Sequence, residues 1–267
     1  TVLSINADTI VTICSNENFL NFLTTALLSC PEKEIRVEVA SGIERLLISN
    51  ELETNIELNN KKTEGKIILI PLLLSFLAKV GEYETSCEQY FVLLKRLLLD
   101  YQKVKNNPTQ TQIFDEKQAL SDTVKMVLRR PNVEERASSQ EDKVLIGLLD
   151  IATVLLKLTP DSKPAIGSQN GAGLVHEIFH ACLFQLPNAT KLRDDSILPP
   201  KCKTIGSRTA AFELLVELAD GCPENYSELV DLVAVYLSKC ERHSSWRFNT
   251  ESMERSELGF VGLSNLG

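Results

Sequence analysis

The spacing with the clearest chemical content is His176-Glu177-Ile178-Phe179-His180, which matches HExxH. Two imidazoles at i and i+4 share one face of a helix and can hold a tetrahedral zinc, while the carboxylate between them serves as general base. That chemistry also needs a third protein ligand. No downstream spacing supplies one: Leu183 stands where the longer form of the motif carries glycine, and the remaining histidine, His243, lies in a stretch without helical periodicity. On a helical wheel the two histidines flank the apolar stripe of Val175, Phe179, Cys182 and Leu183. A structural role is favoured over a zinc peptidase at His176, Glu177 and His180, and no metal or other cofactor is expected.

Thiol chemistry is the second possibility. The seven cysteines are Cys14, Cys30, Cys87, Cys182, Cys202, Cys222 and Cys240. Their number is odd, their spacing is wide and none forms CxxC. Most lie on apolar helical stripes, where a free thiol packs as a small hydrophobe. The pattern suits a reducing compartment, cytosol or nucleus. No basic region precedes an apolar stretch, so no signal peptide is expected.

The third feature is the end of the sequence, Gly259-Phe-Val-Gly262-Leu263-Ser-Asn265-Leu266-Gly267. Closely spaced Gly and Asn predict a tight backbone course rather than another helix.

The elements that would position these groups are helices. Apolar residues recur at helical spacing in Phe19, Phe22, Leu23, Ala26, Leu27 and Cys30, and in Val39, Ile43, Leu46 and Leu47. They recur in Tyr90, Leu93, Leu94, Leu97, Leu98 and Tyr101, and in Leu145, Leu148, Leu149, Ala152, Leu155 and Leu156. Two last stripes are Ala211, Leu214, Leu215 and Leu218, then Leu229, Leu232, Val233, Tyr236, Leu237 and Cys240. Strict two-residue alternation is scarce, which argues against a sheet.

Punctuation agrees. Ser138 and Glu141 have capping-box spacing. Gly221-Cys222-Pro223-Glu224 stops one helix and starts the next: glycine suits a left-handed stop, proline a first turn, and the acid opposes the helix dipole. Ser29-Cys30-Pro31-Glu32 is a similar junction. Loops are expected over 50–65, 106–112, 159–170 and 187–206, with a helix over 171–186 between the last two. The apolar run 67–78 predicts a core helix, because a bilayer span takes roughly 20 residues.

The predicted fold is therefore all-α: about nine to twelve helices near the usual length, stacked as antiparallel pairs in a HEAT/armadillo-like α-solenoid. It ends in a short non-helical tail. No strict sequence period is found, and an irregular helical bundle is the alternative. The expected division is a helical-repeat region over 1–242, a linker over 243–258, and a separate tail over 259–267.

Across 267 residues, 43% are apolar and 24% charged, the mix of a globular protein able to bury a core. The formal net charge of −8 argues against nucleic acid and anionic membrane as partners. The basic pairs Lys61-Lys62 and Arg129-Arg130 are taken as solvated surface.

The C-terminal string resembles the opening of the ubiquitin-specific protease catalytic domain, where GxxGLxNLGxTCYxNS leads into the nucleophilic cysteine. Gly259, Gly262, Leu263, Asn265, Leu266 and Gly267 match, and the sequence stops before the x-T-C-Y part. The resemblance implies that Asn265 is the oxyanion donor, a preorganised group aimed at developing charge. It also implies that the nucleophile, the catalytic His and its partner lie beyond Gly267. Ile205-Gly-Ser-Arg-Thr-Ala-Ala-Phe-Glu-Leu-Leu-Val-Glu-Leu, the Gly221–Asn225 segment and Leu174-Val-His-Glu-Ile-Phe-His resemble the region ahead of the catalytic domain in very large, fat-facets-type members.

On that resemblance the chain is a scaffold segment of a deubiquitinating thiol protease, without the nucleophile. Its expected partners are ubiquitin and ubiquitinated proteins through the parent, and proteins docked on the helical surface. The alternatives are a helical-repeat binding module unrelated to ubiquitin and, less favoured, the zinc peptidase.

Overall fold

The computed structural model describes residues 12, 16–48, 56–83, 86–105, 114–129, 142–179 and 204–242. Among them are ten α-helices and two 3-10 segments, and no strand. We number the helices α1 (Glu17–Ser29), α2 (Lys33–Leu47), α3 (Ile56–Phe76), α4 (Glu88–Lys105), α5 (Glu116–Arg129), α6 (Lys143–Leu158), α7 (Lys163–Gly167), α8 (Leu174–Glu177), α9 (Ile205–Ala219) and α10 (Pro223–Arg242). The 3-10 segments are Leu77–Tyr83 and Pro160–Ser162. Among the described residues the all-α expectation holds, with helices packed against one another in pairs. Contacts divide the chain into two compact units, one of residues 1–126 and 143–158, the other of 127–142 and 159–267.

In the first unit α4 is the central helix, touching α1, α2, α3 and α6. Its predicted stripe, Tyr90 to Tyr101, is fully buried. Burying each such side chain is worth about 1.5–3 kcal/mol. Its partner α6 buries twelve of its sixteen residues. The two helices approach closely at Gly147, where a β-carbon would fall 2.2 Å from the Phe91 ring. The flanks of α4 are tied by Lys143 to Glu88 at 2.8 Å, Lys95 to Asp150 at 3.0 Å, and Arg96 to Glu44.

Asn16 starts α1 by accepting the Phe19 N–H at 3.0 Å, and the helix stops at the expected Cys30-Pro31 junction. Its buried face differs from the one predicted. Phe22 is 66% exposed and Phe19 is exposed, while Thr24, Leu27 and Leu28 are buried. At 100° per residue, α2 and α4 cover a face turned by about one position from the apolar centre.

Residues 56–65 are helical, not a loop. Their polar composition conceals an inward face: Lys62, Gly65 and Lys66 are buried. Tertiary pairing of the two lysines overrides the local signal, and Lys62 is not the solvated residue expected. The run 67–76 continues as helix although Pro71 lies inside it. Proline removes the donor for the Ile67 carbonyl, on a side where Ile67 and Ile68 are exposed. At Leu77 the helix narrows to 3-10 geometry, and the Leu73 carbonyl accepts from the Tyr90 hydroxyl. Burial raises the Tyr90 phenol well above its ordinary value.

In the second unit α9 and α10 form a pair joined by the expected turn. Gly221 has φ 65°, Pro223 opens α10, and Glu224 sits in its first turn. Thr204 caps α9, accepting the Ser207 N–H at 3.3 Å, so 205 and 206 belong to the helix rather than to the predicted loop. The stripe Ala211, Leu214, Leu215 and Leu218 is buried. On α10 Leu229 is buried, but Leu232 and Val233 are only half-buried. Residues 159–167 are a 3-10 turn and a short helix packed against α9 and α10, not a surface loop. Of the helix expected over 171–186, residues 171–173 are not helical, Leu174–Glu177 is helix, Ile178 and Phe179 form a π turn, and 180–186 lie outside the described residues. The capping box at Ser138 and Glu141, the 106–112 loop, the 243–258 linker and the 259–267 tail lie outside the described residues.

Candidate functional site

His176 is half-buried and Glu177 exposed on α8. The α-helical pitch of α8 ends at Glu177, and the π turn follows at Ile178 and Phe179. His180 and His243 lie outside the described residues, as does Asn265. Among the described residues no three His, Cys, Asp or Glu side chains are grouped to hold a metal. Cys30 is half-buried and Cys87 and Cys222 are buried, and none of the three is in a disulfide.

The groups that the structure does bring together are cations at helix ends. The last carbonyls of a helix have no partner within it and carry the negative end of its dipole. In four places a Lys or Arg from another helix takes them. Arg36 reaches the Cys30 carbonyl, and that of Pro31 at 3.1 Å, just past α1. Lys62 donates to Ile48 at 3.2 Å, at the end of α2. Lys105 donates to Leu158 at 2.8 Å, the last residue of α6. Lys163 donates to Asp220 at 2.8 Å, at the end of α9.

Three of these cations or their neighbours also meet carboxylates. Lys105 pairs with Glu116, whose other oxygen accepts from the Tyr101 hydroxyl at 3.0 Å. Lys66, one turn after Lys62, forms a buried pair with Asp100. Lys163 pairs with Glu217 at 2.8 Å, with both side chains largely buried.

The Lys163 site is the most elaborate. The Asn225 amide donates to the carbonyls of Lys163 and Leu218, both at 2.9 Å. Asn225 is completely buried. One turn further along α10, Glu228 accepts the Gln169 N–H at 3.1 Å. A short polar segment, 163–169, is thus fixed on the α9–α10 pair. The Lys163 ammonium is committed to a carbonyl and a carboxylate, so this site holds rather than reacts. Sequence reasoning did not single out Lys163, Glu217 or Glu228 as a site. The prolines on either side of Lys163 mark a turn, but nothing local shows that its ammonium faces inward.

No model of a known protein family matches the chain. Individual relatives do. The chain is 29% identical to human ubiquitin carboxyl-terminal hydrolase 34 over 96% of its length. It is 27% identical to the Drosophila melanogaster probable ubiquitin carboxyl-terminal hydrolase FAF, also over 96%. It is 30% identical to mouse ubiquitin carboxyl-terminal hydrolase 9X over 75%. The matched region spans 7%, 9% and 8% of those proteins, respectively. No helix among the described residues is long and apolar enough to cross a membrane. Over nearly all of its length, then, the chain is similar to one segment of the large ubiquitin carboxyl-terminal hydrolases, those of the fat-facets type among them.

Proposed function

We propose that the chain is a scaffold segment of a deubiquitinating thiol protease, lying just ahead of the catalytic domain and entering its first residues. The observation that carries this reading is the alignment of nearly the whole chain with under a tenth of each hydrolase. An all-helical fold of paired helices supports it, since such surfaces position partners rather than perform chemistry. The segment works in the cytosol or nucleus and acts on ubiquitin and ubiquitinated proteins only through its parent. Exposed apolar side chains such as Tyr226 and Val230, one turn apart on α10, suit protein contacts.

Asn265 is the oxyanion donor in this reading, and the nucleophile belongs to the stretch that would follow Gly267. An oxyanion donor alone cannot attack a carbonyl, because thiol proteolysis needs a cysteine activated by a base. Incubation of the purified chain with a fluorogenic ubiquitin substrate and with a ubiquitin-based cysteine probe tests the proposal. Neither turnover nor labelling is expected. Activity that survives truncation at His243 would place a catalytic centre within the helices and overturn it.

A further inference from the structure

The turn fixed by Glu228 contains Asn170-Gly171, both residues exposed. Asparagine before glycine is the dipeptide most prone to internal attack. The glycine nitrogen bonds to the asparagine side-chain carbon, the Cγ–Nδ2 bond breaks, and ammonia leaves. Water then opens the succinimide ring to aspartate or isoaspartate. The net change is amide plus water to acid plus ammonia, and no oxidant is needed. Glycine is obligatory at 171, because a β-carbon there would fall 1.9 Å from the Ala165 carbonyl oxygen.

The native turn opposes that attack. The Gly171 N–H donates to the Ser168 carbonyl at 2.9 Å. Just after it, Ala172 N–H donates to the Ala165 carbonyl and Gly173 N–H to that of Ser168, also at 2.9 Å. The nucleophilic nitrogen is therefore engaged, and its peptide plane is held from the following residues as well. Gln169, immediately before Asn170, ties the turn to α10 through Glu228.

We propose that Asn170 is a latent deamidation site, and that release of the Gln169–Glu228 bond frees the turn for the attack. Modification then proceeds from the locally open state, at a rate set by how often the turn opens. The product reinforces the opening. It adds a carboxylate one residue from the Gln169–Glu228 bond, and isoaspartate also lengthens the main chain inside a turn that has no slack. The turn is a one-way device: once opened and modified, it does not return to its bonded form.

The test is peptide mapping by mass spectrometry during incubation in mildly alkaline buffer, following the mass gain of amide to acid at Asn170. Native wild type should be slowest and denatured wild type fastest. Native Glu228→Ala should deamidate about tenfold faster than native wild type, the shift expected on losing one hydrogen bond to a charged group. Glu228→Gln, which keeps the shape of the side chain, should be intermediate and guards against misfolding of the alanine variant. Hydrogen exchange at Gly171 and Ala172 should rise in step with the rate, while exchange in α9 stays unchanged. Native wild type reacting as fast as denatured chain, or folded Glu228 variants reacting no faster than wild type, would overturn the proposal.

Discussion

The amide head of Asn225 lies so close against Gly167 that a β-carbon on the glycine would fall 2.3 Å from Asn225 Nδ2. That nitrogen cannot retreat freely, since it holds the Lys163 and Leu218 carbonyls. Gly167→Ala should therefore destabilise the second unit by about 1–3 kcal/mol, the usual range for overpacking. Urea denaturation with equal midpoints for wild type and variant would show that Asn225 has room to move.

Gly147 and Phe91 provide a case in which two effects compete. On an exposed helix, replacing glycine by alanine stabilises by about 1 kcal/mol. At Gly147 the new methyl would meet the Phe91 ring, and overpacking of about 1–3 kcal/mol should win. Gly147→Ala is expected to lower stability in the wild type and to raise it in a Phe91→Ala background. A double-mutant cycle measures that change of sign. An effect of the same sign in both backgrounds would mean that the ring is not the obstacle.

Leu215 and Leu232 both sit centrally in apolar stripes of the sequence, yet Leu215 is 1% exposed and Leu232 half-buried. Leu215→Asp should be severely destabilising, as an unpaired buried charge is among the most damaging substitutions. Leu232→Asp should be clearly milder, because its carboxylate can reach water. Thermal unfolding compares the two, and equal loss would contradict the burial assigned to Leu232.

What the sequence makes legible is the fold where each helix is covered on its most apolar face. The stripes of α4, α6 and α9 are buried as predicted, and the Gly221-Pro223 turn falls in place. Periodicity gives a face but not the direction of its neighbours, so Phe19 and Phe22 were expected inside α1. The polar stretch 56–65 misleads for another reason. Lys62 looks like solvent-facing surface, yet it caps a carbonyl 14 residues away, and Lys163 caps one 57 residues away. Such pairings are tertiary facts with no local signature. Asn225 is a partial exception: it lies in the Gly-Cys-Pro-Glu-Asn string that carries the family resemblance, although its role as a clamp was not apparent.

Lys66 and Asp100 make the sharpest test of how the buried cations act. The pair joins α3 to α4 with both side chains almost wholly buried. Removing one partner leaves the other charged and without a counter-ion in the core. Lys66→Met or Asp100→Leu alone should cost about 3–5 kcal/mol. Replacing both at once removes the desolvation penalty together with the attraction. The double variant should therefore recover most of that loss and approach wild-type stability. Denaturant midpoints of the four proteins give the coupling energy directly. Additive losses would show that the two side chains do not act as a pair. A double variant that recovers part of the loss but stays well below wild type would mean that the ion pair contributes more than an apolar replacement of similar volume can.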